Sequence, residues 1–168
     1  MTALTSRLEL LVSGTLSAAL DLTSAAAPLS IRRVLEFANG SGARQANLIW
    51  SDQRTLGPSA SENLDLAGGG LVDAFGVAFA PARLRGVVIY SATANLNNLT
   101  LFGNAASVPI LNTPATTYTL QPGGFFVATF PATAGAVVTP TTADIIQVAN
   151  AAGVNSVTYD IVLLGCSA

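Results

Sequence analysis

The chain has 168 residues, enough for one domain with a well-formed core, and its single cysteine, Cys166, excludes an internal disulfide framework. Histidine is absent, which removes the commonest general base and every Ser-His-Asp or Cys-His arrangement. Seven basic and nine acidic residues give a net charge of −2, which offers no general attraction to nucleic acid.

The surface of this chain carries few charges for its size. A monomer of 17.0 kDa would expose roughly 7,700 Å², yet 51% of the residues are hydrophobic and only 10% are charged. We therefore expect part of the surface to be buried in a homo-oligomer or a larger assembly. All basic residues are arginine, which suits interface ion pairs, although the codon bias of a GC-rich genome explains the same pattern.

The N-terminal segment, residues 1–29, predicts an arm or strand pair, with strands near 6–12 and 14–21. It resembles a signal peptide in outline, but Glu9 and Asp21 interrupt its apolar region. No window reaches the 18 uninterrupted apolar residues of a membrane span. We therefore predict a retained strand pair and no membrane contact.

Residues 30–168 predict one β-sandwich domain. Short β-branched or aromatic runs recur there, separated by Gly, Pro, Asn and Asp. The predicted strands cover 30–38, 45–51, 61–66, 83–91, 97–102, 116–120, 124–130, 135–139, 143–149 and 156–164. Such spacing without helical periodicity predicts an all-β, antiparallel, jelly-roll-like sandwich.

The last run, "SVTYDIVLLG", alternates strictly between two faces. Val157 to Leu163 at every second position form one apolar face, and the other face becomes apolar near Leu164. We predict a central strand covered on both sides, with Cys166 as a small apolar residue at its end. The loop "NAAGVN" (150–155) joins it to "ADIIQVAN", and we expect these two runs to lie antiparallel.

The stretch "LDLAGGGLVDAFGVAFAPARLRGVVIY" (64–90) is rich in glycine but is not a phosphate-binding loop, because it lacks the Gly-Lys-Ser/Thr ending. We predict a strand, a flexible connection and a second strand. The glycines would let the chain cross between sheets. Phe75 and Phe79 would anchor that crossing in the core or at a subunit contact.

The candidate catalytic groups are the carboxylates of Glu62, Asp65 and Asp73. A glycosidase needs two carboxyl groups on one cleft, but Glu62 and Asp65 differ by three positions and face opposite sides of a strand. A calcium site at Asp65 and Asp73 has only weak support. We therefore predict no catalytic residue, metal or cofactor, and take Trp50 as a core residue.

The succession "QANLIWSDQRTLGPSASENLDLAGGGLVDAFG" (45–76), the "PGG" turn and the terminal "VTYDIVLLG" strand resemble small virion-associated proteins of tailed bacteriophages. The resemblance spans roughly residues 30–168. It implies a head decoration (cement) protein, a β-sandwich assembled as a homotrimer on the major capsid protein. The location implied is the capsid surface of the virion, after synthesis in the bacterial host cytoplasm.

The expected function is therefore structural: binding and stabilising a capsid without catalysis. The predicted partner-facing residues are Arg7, Arg32, Arg33, Phe75 and Phe79. If residues 1–29 are the attachment arm, their deletion should abolish capsid binding and leave the sandwich folded. Two alternatives remain open: a fibre module that binds host carbohydrate through Trp50, Tyr90 or Tyr118, and a jelly-roll coat subunit.

Overall fold

The computed structural model describes residues 3–111, 113 and 115–168, and this part of the chain contains strands and no helix. The strands are β1 (Ser6–Ala19), β2 (Ser24–Phe37), β3 (Leu48–Leu56), β4 (Ser61–Asp65), β5 (Arg83–Ser91), β6 (Leu99–Leu101), β7 (Tyr118–Leu120), β8 (Phe125–Thr129), β9 (Ala136–Val137), β10 (Ile145–Asn150) and β11 (Val157–Cys166). The all-β prediction is confirmed.

Strands β3 to β11 form an antiparallel sandwich. One sheet has the order β4-β10-β6-β7 and the other β3-β11-β5-β8, with the short β9 paired to β5. When the short β9 is left out and the remaining strands are numbered in chain order, the sheets read 2-7-4-5 and 1-8-3-6. This double Greek-key order is that of a jelly roll.

The central strand β11 explains where the core lies. It pairs with β3 on one side and β5 on the other, and its alternate residues Val157, Tyr159, Ile161 and Leu163 are fully buried between the sheets. On its other face Leu164 is also buried. The strand is central, as predicted, and it is covered on both sides at its end, at Leu164; Cys166 is buried there, which confirms its apolar role.

Strands β1 and β2 form a long hairpin, here called the arm. Its pairing runs without a break from Ser6 opposite Phe37 to Ala19 opposite Ser24. The prediction of two strands separated near Gly14 was wrong, because Gly14 stays within the ladder. The predicted boundary between residues 29 and 30 falls inside β2, so the arm extends to Phe37.

The connection from β4 to β5 crosses from the four-stranded to the five-stranded sheet, as predicted. Gly69 adopts a φ of 71° in this connection, a conformation that glycine allows at little cost. Phe79 is buried in the core, whereas Phe75 is 83% exposed. Phe79 alone therefore anchors the crossing in the core.

Strands β10 and β11, which were predicted to lie antiparallel, are not paired with each other, since they lie in different sheets. The loop between them crosses the end of the sandwich, a distance of about 10 Å. Buried amides hold this crossing: Asn97 Nδ2 donates to Asn150 Oδ1 at 3.1 Å, and both side chains donate to the Asn155 carbonyl. β10 instead pairs with β4 and β6.

Near the start of β5, Arg85 ties two loops together, and it has no carboxylate partner among the described residues. Its side chain is fully buried, and its guanidinium donates to the backbone carbonyls of Gln45, Ser41, Gly42 and Ala132. The planar guanidinium suits this work because it carries five donors in a fixed geometry.

Candidate functional site

The arm has two unlike faces, because directly paired residues of a hairpin share a face. The face that contains Ser6 and Phe37 is here called the apolar arm face. Its members are Ser6, Leu8, Leu10, Val12, Gly14, Leu16, Ala18, Ala25, Ala27, Leu29, Ile31, Arg33, Leu35 and Phe37. The opposite face, here called the polar arm face, carries Arg7, Glu9, Ser13, Thr15, Ser17, Ser24, Ser30, Arg32 and Glu36, and also the apolar Leu11, Ala19, Ala26, Pro28 and Val34.

The base of the apolar arm face is packed on the sandwich. Phe37 forms a small core with Ala46 and Leu164, and Leu8 and Leu35 pack against it. Gly86 makes room for this seat, since a Cβ there would lie 3.2 Å from Leu8 Cδ1. The arm is therefore attached to the sandwich by its apolar face.

Beyond this base the same apolar face is open to solvent. Leu10 is 52% exposed, Val12 46%, Leu16 79%, Leu29 54% and Ile31 40%. An isolated two-stranded ribbon is marginal in water, and a contiguous exposed apolar face marks an interaction site. The free part of the apolar arm face is therefore the strongest candidate for a functional surface.

The polar arm face carries a cluster of charges around Glu9. Arg7 Nη2 lies 2.6 Å from Glu9 Oε2, and Arg32 also pairs with this carboxylate. The hydrogen bond from Arg32 lowers the pKa of Glu9. Arg33 lies on the opposite face, as its position next to Arg32 predicted, and its Nη1 donates to the Arg32 carbonyl at 3.0 Å.

The five-stranded sheet also exposes apolar side chains on the side facing away from the core, here called the outer face. Val88 and Val127 are paired there, as are Tyr90 and Phe125, with Phe125 61% and Val127 47% exposed. An open cleft of about 920 Å³ lies between Val88, Phe125 and Val127 of this face and the arm. The sequence signal was the run "FFVAT", apolar on both faces, which predicted a strand without showing which face is exposed.

Phe75 lies on a loop that is fixed by hydrogen bonds between residues of the loop itself. Asp73 Oδ1 accepts hydrogen bonds from the amides of Phe75 and Val77, both at 2.9 Å. Gly76, at a φ of 78°, donates to the Asp73 carbonyl at 3.0 Å. The loop therefore presents an exposed phenyl ring in a fixed position beside strand β3.

The remaining polar cluster lies between the two sheets. Glu62 accepts hydrogen bonds from Arg54 Nη1 at 2.6 Å and from the Tyr159 hydroxyl at 2.7 Å. Burial, and next the hydrogen bond to Glu62, raise the pKa of Tyr159. Burial disfavours the Arg54 charge, but Glu62 outweighs it and the pKa of Arg54 is raised.

The predicted carboxylates do not converge. Glu62 is held by Arg54 and Tyr159, Asp65 Oδ1 accepts from the amides of Ala67 and Gly68, and Asp73 orders its own loop. Across the described residues, no three His, Cys, Asp or Glu side chains group in a way that could hold a metal ion.

Trp50 is buried as predicted, with Phe79 and the Arg54 guanidinium near its ring. Tyr118 is 41% exposed and Tyr90 is partly buried. The three aromatic residues of the carbohydrate alternative are therefore in three different environments, and only Tyr118 lines the cleft beside the arm.

Comparisons with protein-family models, curated proteins and solved structures find no match for this chain. No helix in the described ranges is long and apolar enough to cross a membrane.

Proposed function

We propose that this protein is a structural component of a tailed-bacteriophage particle, a homo-oligomer that binds the major capsid protein at the virion surface and stabilises the capsid without catalysis. The observation that carries the proposal is the arm, which holds an exposed apolar face away from a closed sandwich. Such a surface has a clear use in assembly, because it is costly to leave in water. The proposal that the assembly is a tailed-bacteriophage virion comes from the sequence resemblance.

The jelly-roll strand order is compatible with this function but does not decide it. The same order occurs in viral capsid proteins and in lectin domains, and a fold by itself does not fix an activity. The proposal therefore depends on the exposed surfaces, of which the Phe75 loop is the best candidate for contact with the capsid. Aromatic side chains, Phe among them, are enriched in the buried cores of binding interfaces.

Stabilisation would follow from mass action. A protein that binds the intact shell and not its ruptured state stabilises the shell by the free energy of binding at each site. Many copies act together on one shell, so each contact needs only modest affinity.

The capsid contact is tested by co-sedimentation of the purified protein with capsids from the source phage. Phe75→Ser should lower the affinity about 10-fold or more, because it removes the exposed ring at the centre of the contact. Leu96→Ser is the matched control, since Leu96 is 77% exposed on another loop. Equal binding by wild type and Phe75→Ser would contradict the assignment of this loop, and no binding by the wild type would contradict the function.

The two alternatives are separated by immunogold electron microscopy of virions. Label over the whole head supports decoration, and a copy number equal to that of the shell subunit would instead identify a coat subunit, which the jelly-roll order also fits. Label confined to the tail fibres would favour carbohydrate binding, for which the exposed Tyr118 and Phe125 beside the cleft are the residues to test.

A further inference from the structure

We infer that the free part of the apolar arm face binds the outer face of the five-stranded sheet in a second copy of this chain. The inference rests on the self-association in the proposed function and not on the capsid contact. It assigns a specific pair of surfaces, one on each copy, to the oligomer.

The first support is continuity with a contact that already exists within one chain. The base of the apolar arm face, at Leu8 and Phe37, packs on the outer face of the sheet over Leu164 and Gly86. The next rows of the same outer face, Val162-Val88-Val127 and Asp160-Tyr90-Phe125, lie beyond that seat. The outer face is thus covered by the arm at Leu164 and Gly86 and is uncovered at the next rows of the sheet.

The second support is a match of area. The free arm extends over the pairs from Leu10 opposite Arg33 to Ala19 opposite Ser24, about 33 Å at 3.3 Å per residue and about 10 Å wide. Each copy would bury about 330 Å² of its own arm face and an equal area of its outer face under the arm of a neighbour, about 660 Å² per copy. This is close to the roughly 800 Å² per partner of a stable interface.

The third support is charge. Arg33 is the only ionisable residue on the apolar face of the described arm, and no salt bridge to it occurs within the described chain. On the outer face Asp160 is half-buried, and its Oδ1 accepts from Gln53 Nε2 at 2.8 Å. An arm laid across a second copy would bring one guanidinium to a surface that carries one carboxylate, a pairing that arginine makes well.

The partner is a second copy rather than the chain's own sandwich, because the arm leaves the body. Burial falls from Phe37, which is 1% exposed, to Leu16, which is 79% exposed, along one face. The hairpin pairing is continuous over that length, with no break at which the arm would fold back. Leu10 and Arg33, at the start of the free part, border the cleft over the chain's own Val127, so the length from Val12 to Ile31 is the part that another molecule would cover.

The test is the mass of the purified full-length protein by size-exclusion chromatography with light scattering. Wild type should have a mass that is a multiple of 17.0 kDa. Val12→Glu/Ile31→Glu, a cross-strand pair on the apolar arm face, should reduce the mass to that of the monomer. Ser13→Glu/Ser30→Glu, the neighbouring pair on the polar arm face, is the matched control and should leave the oligomer intact.

Val127→Glu tests the receiving surface, because Val127 is 47% exposed on the outer face and far along the chain from the arm. It should also give a monomer, and circular dichroism should show all variants folded. A monomeric wild type would overturn the inference. So would loss of the oligomer in the arm variant with no effect of Val127→Glu, which would indicate arms paired with each other.

Failure of this inference is distinguishable from failure of the capsid contact. A stable oligomer that does not bind capsids would support the arm contact and contradict the proposed partner. A monomer that still co-sediments with capsids would support the partner and contradict the arm contact.

Discussion

At the scale of single residues, Arg85 is the most consequential polar side chain of the sandwich. It lies fully buried on β5 and donates to the carbonyls of two separate loops, residues 41–45 and 130–132. Gly135, at a φ of 58°, passes close by, and a Cβ there would lie 3.0 Å from Arg85 Nη1. The guanidinium thus replaces water for several carbonyls that would otherwise be buried without partners.

Replacing Arg85 should therefore destabilise the fold strongly. Arg85→Met keeps the volume but leaves several buried carbonyls unpaired, at a cost of at least about 3 kcal/mol in the free energy of unfolding. Arg83→Met is the matched control on the same strand, because Arg83 is only partly buried. Urea unfolding followed by circular dichroism measures both. Equal stability of the two variants would mean that Arg85 does not hold the loops.

Tyr159 should give the fold a characteristic alkaline limit. Its pKa is raised in the folded state above its ordinary value of 10.0, first by burial and then by the bond to Glu62. The folded protein then holds the phenolic proton where the unfolded chain has lost it. The resulting stability is fully present below pH 10 and decreases above it, by up to about 1.4 kcal/mol per pH unit.

The alkaline loss is measured by urea unfolding between pH 8 and pH 11. Tyr159→Phe should flatten the decrease above pH 10, although it also removes the hydrogen bond to Glu62 and lowers stability at neutral pH. Tyr118→Phe removes the same hydroxyl from a half-exposed ring and is the control. An unchanged slope in Tyr159→Phe would show that another group sets the alkaline limit.

At the scale of elements, the arm is held by one end only. Its base packs around Phe37 and Leu164, and its polar face is tied by the ion pairs of Glu9. The tip is a four-residue turn in which the Leu20 amide donates to the Thr23 carbonyl at 2.8 Å. Strand pairing keeps the arm extended, so its apolar face stays available to a neighbour.

The sequence predicted most of the sandwich strands because their alternation is strong, as in β11. The sequence did not predict the first half of β2, because Ala25, Ala26, Ala27 and Pro28 have low strand propensity. These residues form a strand only because they pair with β1. The sequence also failed to assign β10 and β11 to different sheets, because a loop of six residues can turn within a sheet or cross between sheets.

The candidate surfaces were predictable only in part. The opposite faces of Arg32 and Arg33 follow from the strand period, whereas the sequence left Phe75 open between the core and a subunit contact. The apolar arm face was hidden, because it appears only when Leu10 and Ile31 are placed on one face by the register of the hairpin. Long-range pairing, and not local pattern, creates that surface.

At the scale of the whole molecule, low charge and an extended shape have one common explanation. The chain exposes 9305 Å², above the roughly 7,700 Å² that its mass predicts for a compact monomer, because the arm adds surface on both of its faces. A monomer would carry this excess with few charges to keep it dispersed. Association through the arm removes apolar surface and leaves the polar arm face outside.

The stability of the whole molecule should consequently depend on its concentration. If the arms are buried between copies, the thermal midpoint of the wild type should rise when the protein concentration is raised 10-fold, because unfolding is then coupled to dissociation. In a truncated variant, Asn-Gly replaces residues 12–31, so that Leu11 and Arg32 flank a tight hairpin turn. This variant keeps the packed base at Leu8, Leu35 and Phe37, unlike deletion of residues 1–29, which would remove Leu8 and leave part of β2 unpaired.

The truncated variant should unfold at a midpoint that does not change with concentration, while its circular dichroism remains that of a β-sandwich. Differential scanning calorimetry at two concentrations measures both proteins. A concentration-dependent midpoint in the truncated variant would place the oligomer contact on the sandwich itself, and a constant midpoint in the wild type would show that the arm stays free in solution. Because the variant retains the Phe75 loop, its binding to capsids would then report the capsid contact separately from self-association.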